Sequence, residues 1–433
     1  MLLYALLGEN RVRRKASKRR KRVAALVSRF NRWAEQRVRD DEDATVISLA
    51  PDLARIEYLG RRLADVPAVG GNEVRLYDEA NATYNAIEDA IRSAKHHVHL
   101  LYYIWQPDQT GLYFRELLID KARAGVQCRL LLDSVGCLGL GRRFVRPLLD
   151  AGVQVAFFLP LWRLRKRFSL HLRNHRKIAV VDGTIAFTGS QNIGDEYRGR
   201  LKRLSPWHDT HMRICGPAAL FLAQTFAEDW LFATREHLDL DAYYHDPGHP
   251  GDSIVQVLPT GPDQDVSALS QVVFAAVSAA QESIRIEVPY FVPDPPLVSA
   301  LQHACYRGVR VQIVLPTRTD APLVLWAGRS YYAELMQAGV EVVEYDAGVL
   351  HSKIMTVDDR WCMLGSANMD VRSFRLNFEV TALVYDRLVA HQLSRGIDRH
   401  AHAGRRLTLR DAAGLPIQQE VLEGVARLFA PLL

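Results

Sequence analysis

The sequence predicts an α/β protein made of two homologous layered halves, related by a pseudo-two-fold axis, with one site where the halves meet. Three observations carry this expectation. "HRKIAVVD" (His175 to Asp182) and "HSKIMTVD" (His351 to Asp358) both read H-x-K-x4-D, 176 residues apart. Seven residues after each aspartate begins a G-S-x-N word, "GSQN" at Gly189–Asn192 and "GSAN" at Gly365–Asn368. Upstream of each motif, helix-like and strand-like segments alternate in the same order, the pattern of α/β layers. A period this long is not a solenoid's but that of a duplicated domain.

In chain order, the stretch ending at Asp108 ("AKHHVHLLYYIWQPD") matches the one ending at Asp294 ("AQESIRIEVPYFVPD"). Arg123–Asp133 matches Tyr306–Pro316, and Leu148–Phe158 matches Glu334–Tyr345. The polar, Pro- and Gly-bearing stretch Arg235–Ser253 reads as the seam. The expected division is residues 1–60 as a basic, membrane-proximal segment, 61–245 as the first half and 246–433 as the second. "IQQEVLEGVARLFAPLL" reads as an amphipathic closing helix.

Charge is unevenly placed. Residues 11–22 hold nine Lys or Arg and no acid; removing them from the 55 basic side chains leaves 46 against 49 acidic ones. A nearly neutral body with a basic arm suits an anionic membrane surface better than a nucleic acid, which favours a basic face on the folded domain. No run of about 18 apolar residues is present, and "MLLYALLG" is too short to span a bilayer. The five cysteines are widely spaced with no C-x-x-C, which predicts neither a disulfide framework nor a zinc site and fits a reducing compartment.

The chemistry lies in the repeated residues. Side chains two apart share a face of a strand, so His175 and Lys177 point one way, as do His351 and Lys353. If the halves pack face to face, two imidazoles and two ammoniums meet, a set suited to a phosphodiester. The lysines neutralise the non-bridging oxygens. One histidine attacks phosphorus, and the other protonates the leaving oxygen and then deprotonates the incoming hydroxyl. Asn192 and Asn368 are candidate phosphate ligands, as are Ser190 and Ser366, for which a turn role is the alternative. Asp182 and Asp358 belong to the motif, but seven extended residues span about 23 Å, so the spacing reads them as closing a turn. Asp209 in "WHDTHMRI" and Glu379 in "NFEVTALV" are the candidates for orienting the histidines. No cofactor and no metal is expected.

At these residues the chain resembles the phospholipase D superfamily, and the words "RNHRKIAVVDG", "SQNIGDEY", "LHSKIMTVDD", "GSANMDVRSFRLNFE" and "RLFAPLL" resemble bacterial cardiolipin synthases. The resemblance runs from about Gly71 onward. It implies two phospholipase D-like α/β/α domains with the active site at their interface. The catalytic set it implies is His175, Lys177, Asp182, His351, Lys353 and Asp358. It implies condensation of two phosphatidylglycerol molecules to cardiolipin and glycerol through a phosphatidyl-histidine, with the first copy attacking. The implied location is the cytoplasmic face of a bacterial inner membrane, and "LLYALLGEN" is similar to the end of a family transmembrane helix. Hydrolysis, another lipid or alcohol, and a nuclease are the alternative chemistries.

Secondary candidates are the basic run Arg163–Lys177 and Arg372 for an anionic headgroup. Val155–Trp162 and Val288–Leu297 are candidate walls for acyl chains. His96, His97 and His99 are expected to serve a surface role rather than hold a metal.

Overall fold

The computed structural model describes residues 47–159, 172–201, 205–243, 245–264, 266–319, 321–414 and 416–430. The expected arm at residues 11–22, the opening "MLLYALLG" and most of the basic run before Leu172 lie outside them.

The strands are β1 (Val69–Tyr77), β2 (His97–Tyr102), β3 (Gln127–Asp133), β4 (Gln154–Phe158), β5 (Ile178–Val181), β6 (Ile185–Gly189), β7 (Trp207–His208), β8 (His211–Cys215), β9 (Ser253–Thr260), β10 (Ser283–Glu287), β11 (Phe291–Val292), β12 (Arg310–Pro316), β13 (Glu341–Tyr345), β14 (Val349–Leu350), β15 (Ile354–Val357), β16 (Trp361–Gly365), β17 (Met369–Asp370), β18 (Glu379–Tyr385) and β19 (Arg405–Arg406). Fifteen of them form one sheet, ordered β19-β13-β12-β10-β15-β16-β18-β9-β1-β8-β6-β5-β2-β3-β4. Read outward from the β9–β1 pair, the two directions match strand for strand, apart from the added β19. The pseudo-two-fold therefore passes between β1 and β9, which pair antiparallel through Val69 and Val255 and through Asn72 and Ser253.

Each motif strand is the fourth of its half. β5 pairs antiparallel with β2 and β6, and β15 with β10 and β16. All four residues of each are buried, as expected of strands covered by helices on both faces. The helices share the repeat. Asp108 caps the helix Gln109–Arg123 through Gly111 N, and Asp294 caps Pro295–Tyr306 through Leu297 N. Each carboxylate satisfies a free N–H of the first turn.

The seam is less simple than the expected boundaries. Helix Pro51–Ala64, which straddles residue 60, packs on the second half: Leu53 and Ile56 join a core with Leu258, Leu269 and Val272. Asp52 pairs with Arg360 at 2.5 Å, and Gln256 Nε2 donates to Glu57 O and Val66 O. Residues of the expected seam fold back on the first half, where Tyr243 meets His97 edge-on and His245 stacks on His96. His97 and His99 are buried rather than superficial, His99 lying flat on Phe226 at 4.7 Å. Their shared strand face is turned to a helix and to the seam, not to solvent.

Candidate active site

The halves exchange short backbone pairings beside each histidine. His175 N donates to Phe378 O and Phe378 N to Arg173 O, both at 2.9 Å. In mirror fashion, His351 N donates to His208 O at 2.8 Å, where β14 pairs parallel with β7. Each imidazole thus leaves a backbone held by the opposite half.

The carboxylates follow the same crossing. His175 Nδ1 lies 3.1 Å from Glu379 Oε2, and His351 Nδ1 lies 3.0 Å from Asp209 Oδ2. Asp209 belongs to the first half and serves the second histidine; Glu379 belongs to the second half and serves the first. Both carboxylates are fully buried. An Nδ1–H donated to a carboxylate leaves Nε2 as the free base.

Electrostatics tie the two pairs into one site. Burial pushes His175 down to about 4; Glu379 opposes this, and the charges of Lys177 and Lys353 add to it. His351 is lowered by burial and by Lys353, against the pull of Asp209, with Lys177 contributing. Each lysine therefore acts on the other half's histidine. Lys177, fully buried, is pushed down to about 7 by its burial, despite Glu379. Burial raises Asp209 and Glu379, but the histidine and lysine beside each outweigh it and hold both below the ordinary carboxylate range.

The pairs are not identical. Lys353 Nζ lies 3.1 Å from His351 Nε2 and donates to His351 O at 2.8 Å. Lys177 Nζ donates to His175 O at 2.6 Å and sits over the Tyr103 ring. Among the described residues no side chain hydrogen-bonds His175 Nε2. Tyr103 meets the His175 ring edge-on at 4.8 Å, and Trp207 packs on His351 at 5.1 Å.

Several expected roles change. Ser190 and Ser366, expected to bind phosphate, are fully buried and donate to Asp209 and Glu379 respectively. They hold the orienting carboxylates, because the chain turns each hydroxyl into its own half's neighbouring strand. Asp182 and Asp358 do not reach the imidazoles. Asp182 accepts from the N–H groups of Lys95, His96 and His97, and Asp358 from those of Gln281, Glu282 and Ser283. They sit at positive φ, 51° and 55°, in the turns that follow β5 and β15, and tie those turns to the starts of β2 and β10. Asn192 uses Oδ1 to accept from Ile104 N. Asn368 lines a small cavity with Lys353 and Thr381. Phe158, Phe291 and Val292 of the expected acyl walls are buried core, and residues 160–162 lie outside the description.

The sequence reading missed the support around the first motif. Arg176 donates to Asp229 Oδ2 at 2.8 Å, to Thr260 O and to Glu379 O. Asn174 donates to the same carboxylate oxygen, and Arg173 faces Asp133 at 3.7 Å. Arg176 stands inside the quoted motif and could have been found as an unpaired charge between two functional positions. Asp229, within a helix, gives no such signal.

The duplicated fold and the crossed histidine–carboxylate pairs define a phospholipase D-like enzyme. A family model described as "Cardiolipin synthase, PLD-like domain" matches residues 87–199 and 273–401. The chain is 39% identical over 378 residues to a cardiolipin synthase of Geobacillus sp. (strain WCH70), covering 87% of this chain and 75% of that one. It is 34% identical over 444 residues to cardiolipin synthase 1 of Bacillus anthracis, covering 100% and 86%. The fold resembles the crystal structure of a phosphatidylserine synthase from Haemophilus influenzae, with TM-score 0.66 at 16% identity, covering 88% of this chain and all of that one. The chain belongs to the PLD-like cardiolipin synthase family.

Proposed function

We propose that the chain is a phosphatidyltransferase that condenses two phosphatidylglycerol molecules into cardiolipin and glycerol at an anionic membrane surface, the cytoplasmic face of a bacterial inner membrane. The supporting observation is the crossed pairing of two imidazoles with two buried carboxylates, within the field of two lysines.

His175 is the nucleophile. Glu379 fixes its Nδ1 proton, and its Nε2 lone pair is not engaged by a lysine. Attack by Nε2 on phosphorus forms a P–N bond and breaks the bond to the glycerol oxygen. His351, as imidazolium stabilised by Asp209, gives that oxygen a proton and glycerol leaves. The bound diester's negative charge offsets Lys177 and Lys353, the charges that otherwise disfavour a protonated His351. A hydroxyl of the second lipid then gives its proton to His351, attacks phosphorus and displaces His175. Lys177 and Lys353 stabilise the charge building on the non-bridging oxygens. Asn368, beside Lys353, is placed to assist. Asp182 and Asp358 act by fixing the turns.

Phosphatidylglycerol labelled in its phosphate, supplied in mixed micelles with chelator, tests this. Cardiolipin and free glycerol by mass are the expected products. Phosphatidic acid alone would make the enzyme a hydrolase, and cleavage of single-stranded DNA instead of lipid would make it a nuclease.

A further inference from the structure

We infer that the site-bearing face docks on an anionic bilayer, with the outer side of the C-terminal helix Ile417–Leu428 as its apolar foot. This rests on the lipid-transfer reading and adds the surface that meets the membrane.

The carboxyl ends of β2, β3, β10 and β12 define the site end of the sheet, because β5 and β15 start there, one residue after Lys177 and Lys353. Helix Pro322–Arg329 follows β12 at that end, and Gly328 lies tight against the backbone of Phe291, whose strand pairs with Met369 next to Asn368. The C-terminal helix packs on this roof. Its inner side is fixed: Ala426 and Ala430 are buried in the core, and the Arg427 guanidinium lies 4.1 Å from the Tyr331 ring centroid.

Its outer side carries Val421, Leu422, Val425, Leu428 and Phe429, spaced as one helical stripe and all exposed, Val421 by 59% and Leu428 by 78%. From Val421 to Phe429 the stripe is about 12 Å long at 1.5 Å per residue, suited to lying in an interface rather than crossing it. The loops at the same end of the sheet add Leu138 after β3, 65% exposed, and Leu201 before β7, and the helix Pro322–Arg329 adds Leu323. Exposed arginines share this end: Arg142 and Arg143 beyond Leu138, Arg318 after β12, and Arg375 after the second G-S-x-N. Exposed apolar side chains and arginines at one end of the sheet match acyl chains under anionic headgroups, and the two histidines stand at that same end.

Two variants of the full chain test this. Leu428→Trp should show blue-shifted emission on phosphatidylglycerol vesicles and quenching by lipids brominated in their acyl chains. Val425→Asp with Leu428→Asp should turn over vesicle phosphatidylglycerol at least ~10-fold more slowly, while turnover of short-chain phosphatidylglycerol dispersed as monomers stays within about twofold. Unshifted emission, or vesicle turnover equal to wild type, overturns the proposal. So does a wild-type dimer that the double substitution converts to monomer with vesicle turnover intact, since the stripe would then be a contact between copies. If the tryptophan inserts but neither substrate yields cardiolipin, the docking surface stands and the proposed activity falls.

Discussion

Between histidine and lysine the first half places Arg176 and the second places Ser352. Arg176 is buried and bridges Asp229, Thr260 O and Glu379 O. Ser352 makes one hydroxyl contact, to Thr210 Oγ1 at 2.9 Å. The two lysines differ in step: Lys353 reaches its histidine's Nε2, whereas Lys177 bonds to backbone and stands by Tyr103. A duplicated fold thus carries two unequal ends. The half with the braced backbone has the histidine whose Nε2 is open to attack phosphorus. The half with the lysine-contacted Nε2 has the histidine to which the proposed mechanism gives the proton transfers. The crossed carboxylates make neither half sufficient alone.

The sharpest way to break this comparison is to delete each histidine. His175→Ala should abolish transfer and leave no phosphoenzyme. His351→Ala should slow turnover by roughly 10²–10⁴ but still accumulate a phosphohistidine, detected with phosphate-labelled phosphatidylglycerol. Accumulation in His175→Ala instead would swap the two roles.

Next in size are the carboxylates. Glu379→Gln and Asp209→Asn should each lower kcat by about 10³, since the amide no longer holds the required tautomer. Single-turnover measurements should separate them, with Glu379→Gln slowing phosphoenzyme formation and Asp209→Asn slowing glycerol release and the second transfer.

The acid–base contrast is smaller. The kcat/KM profile should fall on the acid side near 4, where His175 becomes protonated and cannot attack. It should fall on the alkaline side near 7, where Lys177 loses the charge that stabilises the transition state. Lys177→Arg, which stays protonated, should remove the Lys177 contribution and leave in place the acid limb and the alkaline loss of the His351 proton.

Stability should separate the two motifs as well. Arg176→Ala leaves the buried Asp229 without its cation, with Asn174 still donating to it, and should cost about 3–5 kcal/mol. Ser352→Ala removes one neutral hydrogen bond and should cost about 1 kcal/mol. Chemical denaturation of both variants checks this. Smallest among the catalytic effects should be that of Ser190→Ala or Ser366→Ala, about tenfold in kcat, the rate equivalent of one hydrogen bond to a charged group.

Much of this site was legible because strands have a period of two. That period put His175 with Lys177 and His351 with Lys353, although both pairs lie just before β5 and β15 rather than within them, and the repeat offset raised the expectation that the halves meet. Asp209 and Glu379 were found as carboxylates in strand-like segments after each G-S-x-N; Asp209 lies between β7 and β8, and Glu379 opens β18. Which histidine each one serves was not legible, because the crossing comes from packing of one half on the other, at Phe378 beside His175 and His208 beside His351. The carboxylate partners of Ser190 and Ser366, read as phosphate ligands or turn residues, were not legible for the same reason. A serine after glycine at a strand end suits a phosphate or a neighbouring acid equally well, and only the adjoining strand decides. The helix Pro51–Ala64 reads as amphipathic wherever it packs, so its place on the second half is set by partners some 200 residues away.

The most direct measurement follows the two imidazoles by nitrogen-15 NMR, each assigned by substitution. Crossing predicts that Glu379→Gln shifts the ring nitrogens of His175 and leaves those of His351 in place, and that Asp209→Asn does the reverse. If each histidine instead answers to the carboxylate of its own half, the crossed site is wrong.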